Sequence, residues 1–137
     1  PEFLDALGER ESSNRYFIVN QYGYMGKYQF GMSTLQSIGM YVSREEFLNN
    51  PDLQEEAMLK NLVRNKRILS KYITYYDGRI VNGVFITEAG ILAGAHLAGP
   101  GGVKRFFNKG FDFSDGNGTK LTTYMSEFKN FTFFIGS

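Results

Sequence analysis

Glu11 is the residue in this chain best placed to move a proton. It lies in Gly8–Phe30, GERESSNRYFIVNQYGYMGKYQF, a stretch that is polar and aromatic together. Phe3, Leu7 and Glu11 recur every four residues, so on a helix they share one face. Glu9 and Arg10 fall on other faces, toward solvent. Glu11 also stands at the end of that helix, ahead of Ser12-Ser13-Asn14. A helix C-terminus carries partial negative charge and disfavours a second negative charge beside it. Partial burial acts in the same direction. Both effects favour the protonated carboxyl, the form that serves as a general acid. An ordinary helix-end glutamate paired with a lysine is the competing reading of the same register.

Few other groups can do chemistry. The chain has no cysteine and one histidine, His96, among its 137 residues. This excludes disulfides, thiolate catalysis and cysteine zinc sites, and argues against a histidine-cluster metal site. In DFSDGNGTK, Asp115, Asn117 and Thr119 have the spacing of a calcium loop. Lys120 stands where such a loop needs glycine, and no glutamate falls at its last ligand position, so the segment reads as a turn. No metal or cofactor is expected. The net charge is +1, which gives no electrostatic case for nucleic acid. The acidic run Glu45, Glu46, Asp52, Glu55, Glu56 and the basic run Lys60, Arg64, Lys66, Arg67, Lys71 read as solvated helix faces. No apolar run is long enough for a membrane span, and no signal peptide is visible. The aromatic content is 13 Phe and 9 Tyr with no Trp. Tyrosine offers an apolar face with a polar tip, which suits clefts that hold sugars.

Three short segments occur in a telling order. They are Glu11-Ser12, then Gly26-Lys27-Tyr28-Gln29, then Ala95-His96-Leu97-Ala98-Gly99-Pro100-Gly101. The sequence resembles the lysozyme-like lytic transglycosylase family, which includes goose-type lysozyme-like proteins. That family reads E-S near the end of a first helix, then a G-L-M-Q-type motif, then an A-Y-N-A-G-P-G-like segment. The stretch NPDLQEEAMLKNLV resembles the family's helix before the third motif, and the likeness runs from about Phe3 to Phe107. It departs at Lys27-Tyr28, where the family has two apolar residues, and at His96 and Leu97, which replace a tyrosine and an asparagine. These departures look like a divergent phage- or effector-type branch.

The resemblance implies cleavage of the β-1,4 bond between N-acetylmuramic acid and N-acetylglucosamine in peptidoglycan. Glu11 would be the catalytic acid. Ser12 and Gln29 would orient Glu11 or bind an acetamido group, and Tyr24 and Tyr28 would line sugar subsites. Gly26 would let backbone approach the glycan, and His96 would donate a hydrogen bond across the cleft. Asp77 and Glu88 are candidates for the second carboxylate that a hydrolytic enzyme uses, while Asp5 and Glu9 share the helix of Glu11 and are poor ones. The implied partner is the peptidoglycan strand, with a periplasmic or extracellular site of action. A non-catalytic glycan-binding module is the alternative, as is a secreted antibacterial effector held in check by an immunity or inhibitor protein.

These residues must be positioned by a mainly α, lysozyme-like fold with at most one small β-hairpin, in a single domain over residues 1–137. Residues 2–12 read as a short helix and 14–30 as loops or short strands. Residues 32–39 form a small helix stopped by Gly39. Ser43 with Glu46 has the form of a capping box. Asn50-Pro51 opens the longest helix, expected to run to about Tyr75, with Leu53, Met58, Leu62, Leu69 and Ile73 inward. Asp77-Gly78 and Asn82-Gly83 allow a hairpin over about 74–87. Thr87 caps a central buried helix, TEAGILAGAHLAG. Glycine costs about 1 kcal/mol inside a helix, so Gly90 and Gly94 imply close approach of another backbone. Gly99-Pro100-Gly101 breaks this helix, residues 101–109 restart it, Gly110 ends it, and 120–129 form a last helix after a loop.

Overall fold

The structure, a computed structural model, describes residues 2–132. Among these the protein is mainly α, with a single two-stranded antiparallel hairpin. The residues group into two compact units, Pro1–Asn61 and Leu62–Ser137.

The first unit holds α1 (Glu2–Ser12), α2 (Met32–Ser37), α3 (Arg44–Leu48) and the start of α4 (Pro51–Ile68). The apolar face expected of α1 is buried: Phe3 and Leu7 are enclosed. The helix ends where Ser13 and Asn14 both adopt left-handed backbone, with φ of 56° and 58°. The chain from Arg15 to Gly31 then folds without regular strands. Two isolated antiparallel bridges set Met25 opposite Val19 on one side and Phe30 on the other. Met25 and Phe30 are buried with Phe47, and the rings of Phe30 and Phe47 meet edge to face at 6.0 Å. The capping box at α3 forms as its spacing requires: the Ser43 side chain accepts from the Glu46 N–H, and the Glu46 carboxylate accepts from the Ser43 N–H.

The second unit holds the end of α4, then α5 (Ser70–Tyr76), β1 (Ile80–Val81), β2 (Val84–Phe85), α6 (Glu88–Lys109) and α7 (Leu121–Glu127). The helix expected to continue to Tyr75 breaks once, at Leu69, whose φ of −98° and ψ of 8° leave the helical range. Leu69 is buried, and the break falls where the sequence has neither glycine nor proline to mark it. Asn82-Gly83 makes the hairpin turn, with φ of 48° and 80°. Two successive positive φ values are the signature of the type I′ turn that matches strand twist. Thr87 caps α6 by accepting from the Gly90 N–H at 3.1 Å. The break at Gly99 is a single residue at φ 74°, ψ 162°, with Pro100 directly after it. Only glycine tolerates that backbone readily, and proline suits the first turn of a renewed helix.

Gly90 and Gly94 both face α7, Gly90 against its backbone as expected and Gly94 against its side chains instead. A Cβ on Gly90 would lie 2.7 Å from the Met125 carbonyl oxygen, and one on Gly94 would meet Leu121 Cδ1 at 2.5 Å. The Met125 carbonyl belongs to the backbone and cannot swing aside. Gly90→Ala should therefore destabilise the protein by about 1–2 kcal/mol, since overpacking outweighs the gain in helix propensity. Urea unfolding monitored by far-ultraviolet circular dichroism measures this; an unchanged or raised midpoint would show that α7 yields freely. Among the described residues, no helix is long and apolar enough to cross a membrane.

Candidate active site

The first unit carries a dense polar cluster built on the end of α1. Ser12 is buried. Its hydroxyl donates to the Lys27 carbonyl at 2.7 Å and accepts from the Arg15 N–H at 3.0 Å. The first two sequence segments, Glu11-Ser12 and Gly26–Gln29, are thereby joined directly. Glu11 precedes this anchor by one residue, half-buried in the last turn of α1. Because Ser12 is engaged on both sides, it holds the loop against the helix instead of presenting an open group to a ligand.

Gly26 has φ of 76°, and any Cβ there would collide with the Gln54 side-chain amide. Two constraints, backbone conformation and space, select glycine at this position. Gln54 is buried at 1% exposure and clamps three segments. Its Oε1 accepts from the Lys27 N–H at 2.9 Å, and its Nε2 donates to the carbonyls of Tyr16 at 3.0 Å and Phe47 at 3.1 Å. Gln29 sits at φ 57° and turns its amide back to donate to the Gly26 carbonyl at 3.0 Å. The turn is closed by its own side chain.

Tyr28 corrects the expectation of a sugar-lining ring. It is fully buried, and its hydroxyl donates to Glu55 Oε1 at 2.7 Å. Tyr24, the other tyrosine expected to line a subsite, is 46% exposed. Its backbone N–H donates to the Asn20 side chain.

Glu55 is the hub beneath this loop. It accepts from Tyr16 Oη at 2.5 Å, from Tyr28 Oη at 2.7 Å and from Lys27 Nζ at 3.0 Å. The Lys27 ammonium also reaches Asp5 at 3.4 Å and lies over the rings of Tyr16 and Tyr28 at 5.4 and 5.1 Å. Burial opposes ionisation of Glu55, but the hydrogen bonds from Tyr16, Tyr28 and Lys27 outweigh it and hold the carboxyl below its usual range. Burial and then the bond to Glu55 push the Tyr28 phenol up, and for Tyr16 the bond to Glu55 comes first, followed by burial. For Lys27, burial lowers the ammonium pKa, yet the hydrogen bond and charge of Glu55 raise it on balance. The result is a charged pair roofed by aromatic rings, with its hydrogen-bonding capacity well used. Sequence reasoning assigned Glu55 to a solvated face. It stands three residues before Met58 and seven before Leu62, both buried, and that helical spacing was the signal available.

The second unit holds the remaining candidates. His96 is half-buried on α6, three residues before the Gly99 break. Asp77 Oδ1 accepts from the Glu88 N–H at 2.9 Å, and the Glu88 carboxylate pairs with Lys66 at 3.0 Å. Asp115 accepts from the N–H groups of Asn117 and Thr119 at 2.9 and 2.8 Å, which makes the DFSDGNGTK segment a self-bonded turn as expected. Compared with known proteins, the chain matches no family model, no curated protein and no solved structure.

Proposed function

We propose that this protein cleaves peptidoglycan glycan strands at the β-1,4 bond between N-acetylmuramic acid and N-acetylglucosamine, with Glu11 as general acid. The observation that carries this reading is the 2.7 Å hydrogen bond from Ser12 to the Lys27 carbonyl. It brings together two of the three segments on which the resemblance to lysozyme-like lytic transglycosylases rests, immediately beside Glu11. Support also comes from the rigidity of the loop: Gln54, Gln29 and the Glu55 cluster each tie it down, and a proton donor works only if its surroundings are held in place.

Glu11 donates its proton to the glycosidic oxygen as the bond to the anomeric carbon breaks. The leaving sugar departs as an alcohol, and positive charge develops at the anomeric carbon. The Glu11 carboxylate then takes a proton from the incoming nucleophile. If that nucleophile is the muramoyl 6-hydroxyl, a 1,6-anhydro sugar forms without water. If it is water, a reducing end forms. The two products differ by one water, and both need the same first step.

Incubating the protein with purified sacculi and reading the soluble products by mass spectrometry tests this. Muropeptides should be released, and their mass identifies the nucleophile. Retention on sacculi with no released fragment would overturn catalysis in favour of a binding module.

A further inference from the structure

The second unit carries an aromatic groove of its own. Its volume is 750 Å³, and Tyr72, Tyr75, Tyr76, Lys71, Arg79 and Asn108 line it. Grooves of some hundreds of cubic ångströms are of the size that encloses small ligands. The aromatic wall is preorganised. Tyr76 stacks on Phe107 at 4.2 Å with planes 8° apart, Tyr72 lies on Phe107 at 5.7 Å, and Tyr75 meets Tyr76 edge to face at 4.8 Å. Tyr72 and Tyr76 are four residues apart on α5 and so share a face. Asn108 donates to the Tyr72 hydroxyl at 2.9 Å. Rings held this way lose little freedom on binding.

The charges on the groove are of one sign. No acid lines it, and neither Lys71 nor Arg79 has an acidic partner among the described residues. Arg79 is nevertheless fixed in place. Its Nε donates to the Tyr75 carbonyl at 2.6 Å, and its guanidinium lies 4.3 Å from the Tyr75 ring centre. That contact uses Nε and leaves the two terminal amines for an anion, the geometry in which arginine recognises carboxylate.

We propose that this groove binds a carboxylate-bearing saccharide, with the tyrosines meeting the sugar ring and Arg79 and Lys71 meeting the carboxylate. The site lies wholly in the second unit and does not depend on the catalytic reading of Glu11. Two sources share the required chemistry: the lactyl carboxylate of a muramic acid residue and the carboxylate of a uronic acid.

Isotope-labelled Glu11→Gln protein, in which proposed turnover is removed, can be titrated with N-acetylglucosaminyl-N-acetylmuramic acid, with digalacturonate and with neutral diacetylchitobiose. The amides of residues 71–79 and Asn108 report on the groove by nuclear magnetic resonance. At least one acidic sugar should shift them and bind about tenfold more tightly than chitobiose, the worth of one charge-assisted hydrogen bond. Response to the muramic disaccharide alone identifies the cell wall as the source, response to digalacturonate alone identifies a uronic acid polymer, and response to both supports the shared chemistry. Arg79→Gln should abolish the preference for the acidic sugar, and Tyr75→Ala should weaken all binding at this site. Absence of any shift at these amides, equal affinity for chitobiose, or a preference that survives Arg79→Gln would overturn the proposal.

Discussion

Glu11→Gln should abolish release of muropeptides while leaving the fold intact. The substitution keeps the shape of the side chain and removes its proton-donating carboxyl. A general acid contributes about 10²–10⁴-fold to rate, so the loss should exceed a hundredfold. The fold should persist because α1 is anchored elsewhere: Phe3 and Leu7 are buried, and Ser12 is bonded to Lys27 and Arg15. None of these contacts uses the Glu11 carboxyl. Rates on purified sacculi, read beside the thermal unfolding of both proteins, separate the two effects. Full activity in the variant would remove Glu11 from the mechanism. Lost activity with a lowered unfolding midpoint would mark it as structural.

Glu55→Ala should have the largest effect on stability. It strands the Lys27 ammonium, which is 8% exposed and, among the described residues, keeps as its acidic partner Asp5 at 3.4 Å, itself 68% exposed. It also leaves the hydroxyls of Tyr16 and Tyr28 without the acceptor they share. Breaking one partner out of a buried ion pair costs about 3–5 kcal/mol. Glu55 is 33% exposed, and water entering there compensates in part, so the loss should be about 3 kcal/mol. Urea unfolding at neutral pH measures it, and a loss within the range of surface substitutions, about 0.5 kcal/mol, would show that the cluster contributes little.

The same residue sets the response to acid. Burial opposes ionisation of Glu55, but the hydrogen bonds from Tyr16, Tyr28 and Lys27 hold its folded carboxyl below the ordinary glutamate value, about 4.3. Its contribution is therefore fully present above that ordinary value and is lost as pH falls through the lower folded value. The difference between wild type and Glu55→Ala should shrink across that acid interval. A constant difference down to pH 3 would mean that the carboxylate charge is not what stabilises the loop.

Much of the fold was legible in the sequence because its signals are local. The capping box at Ser43 and Glu46, the cap at Thr87, the Asn82-Gly83 turn and the break at Gly99-Pro100 each depend on a few adjacent residues and formed where those residues stand. Gly90 and Gly94 signalled a close approach through their cost alone. The break at Leu69 was not legible, since no glycine or proline stands there to mark it. The inward turn of Tyr28 was hidden for a different reason. Its hydroxyl is satisfied by a carboxylate 27 residues away, and a polar tip near glycines reads as surface when that partner is unseen.

By itself, then, the sequence determined the helices, their caps and turns, and the inward register of α1 that places Glu11 at its end, because backbone preferences and helical period act over a few residues. Only tertiary structure decided that Ser12 binds the Lys27 carbonyl, that Gln54 clamps three segments, and that an acidic residue in a charged run becomes the half-buried hub of the polar cluster. Those outcomes depend on partners distant in sequence. A polar group's burial is set by whether such a partner meets its hydrogen bonds, and no local pattern states that in advance.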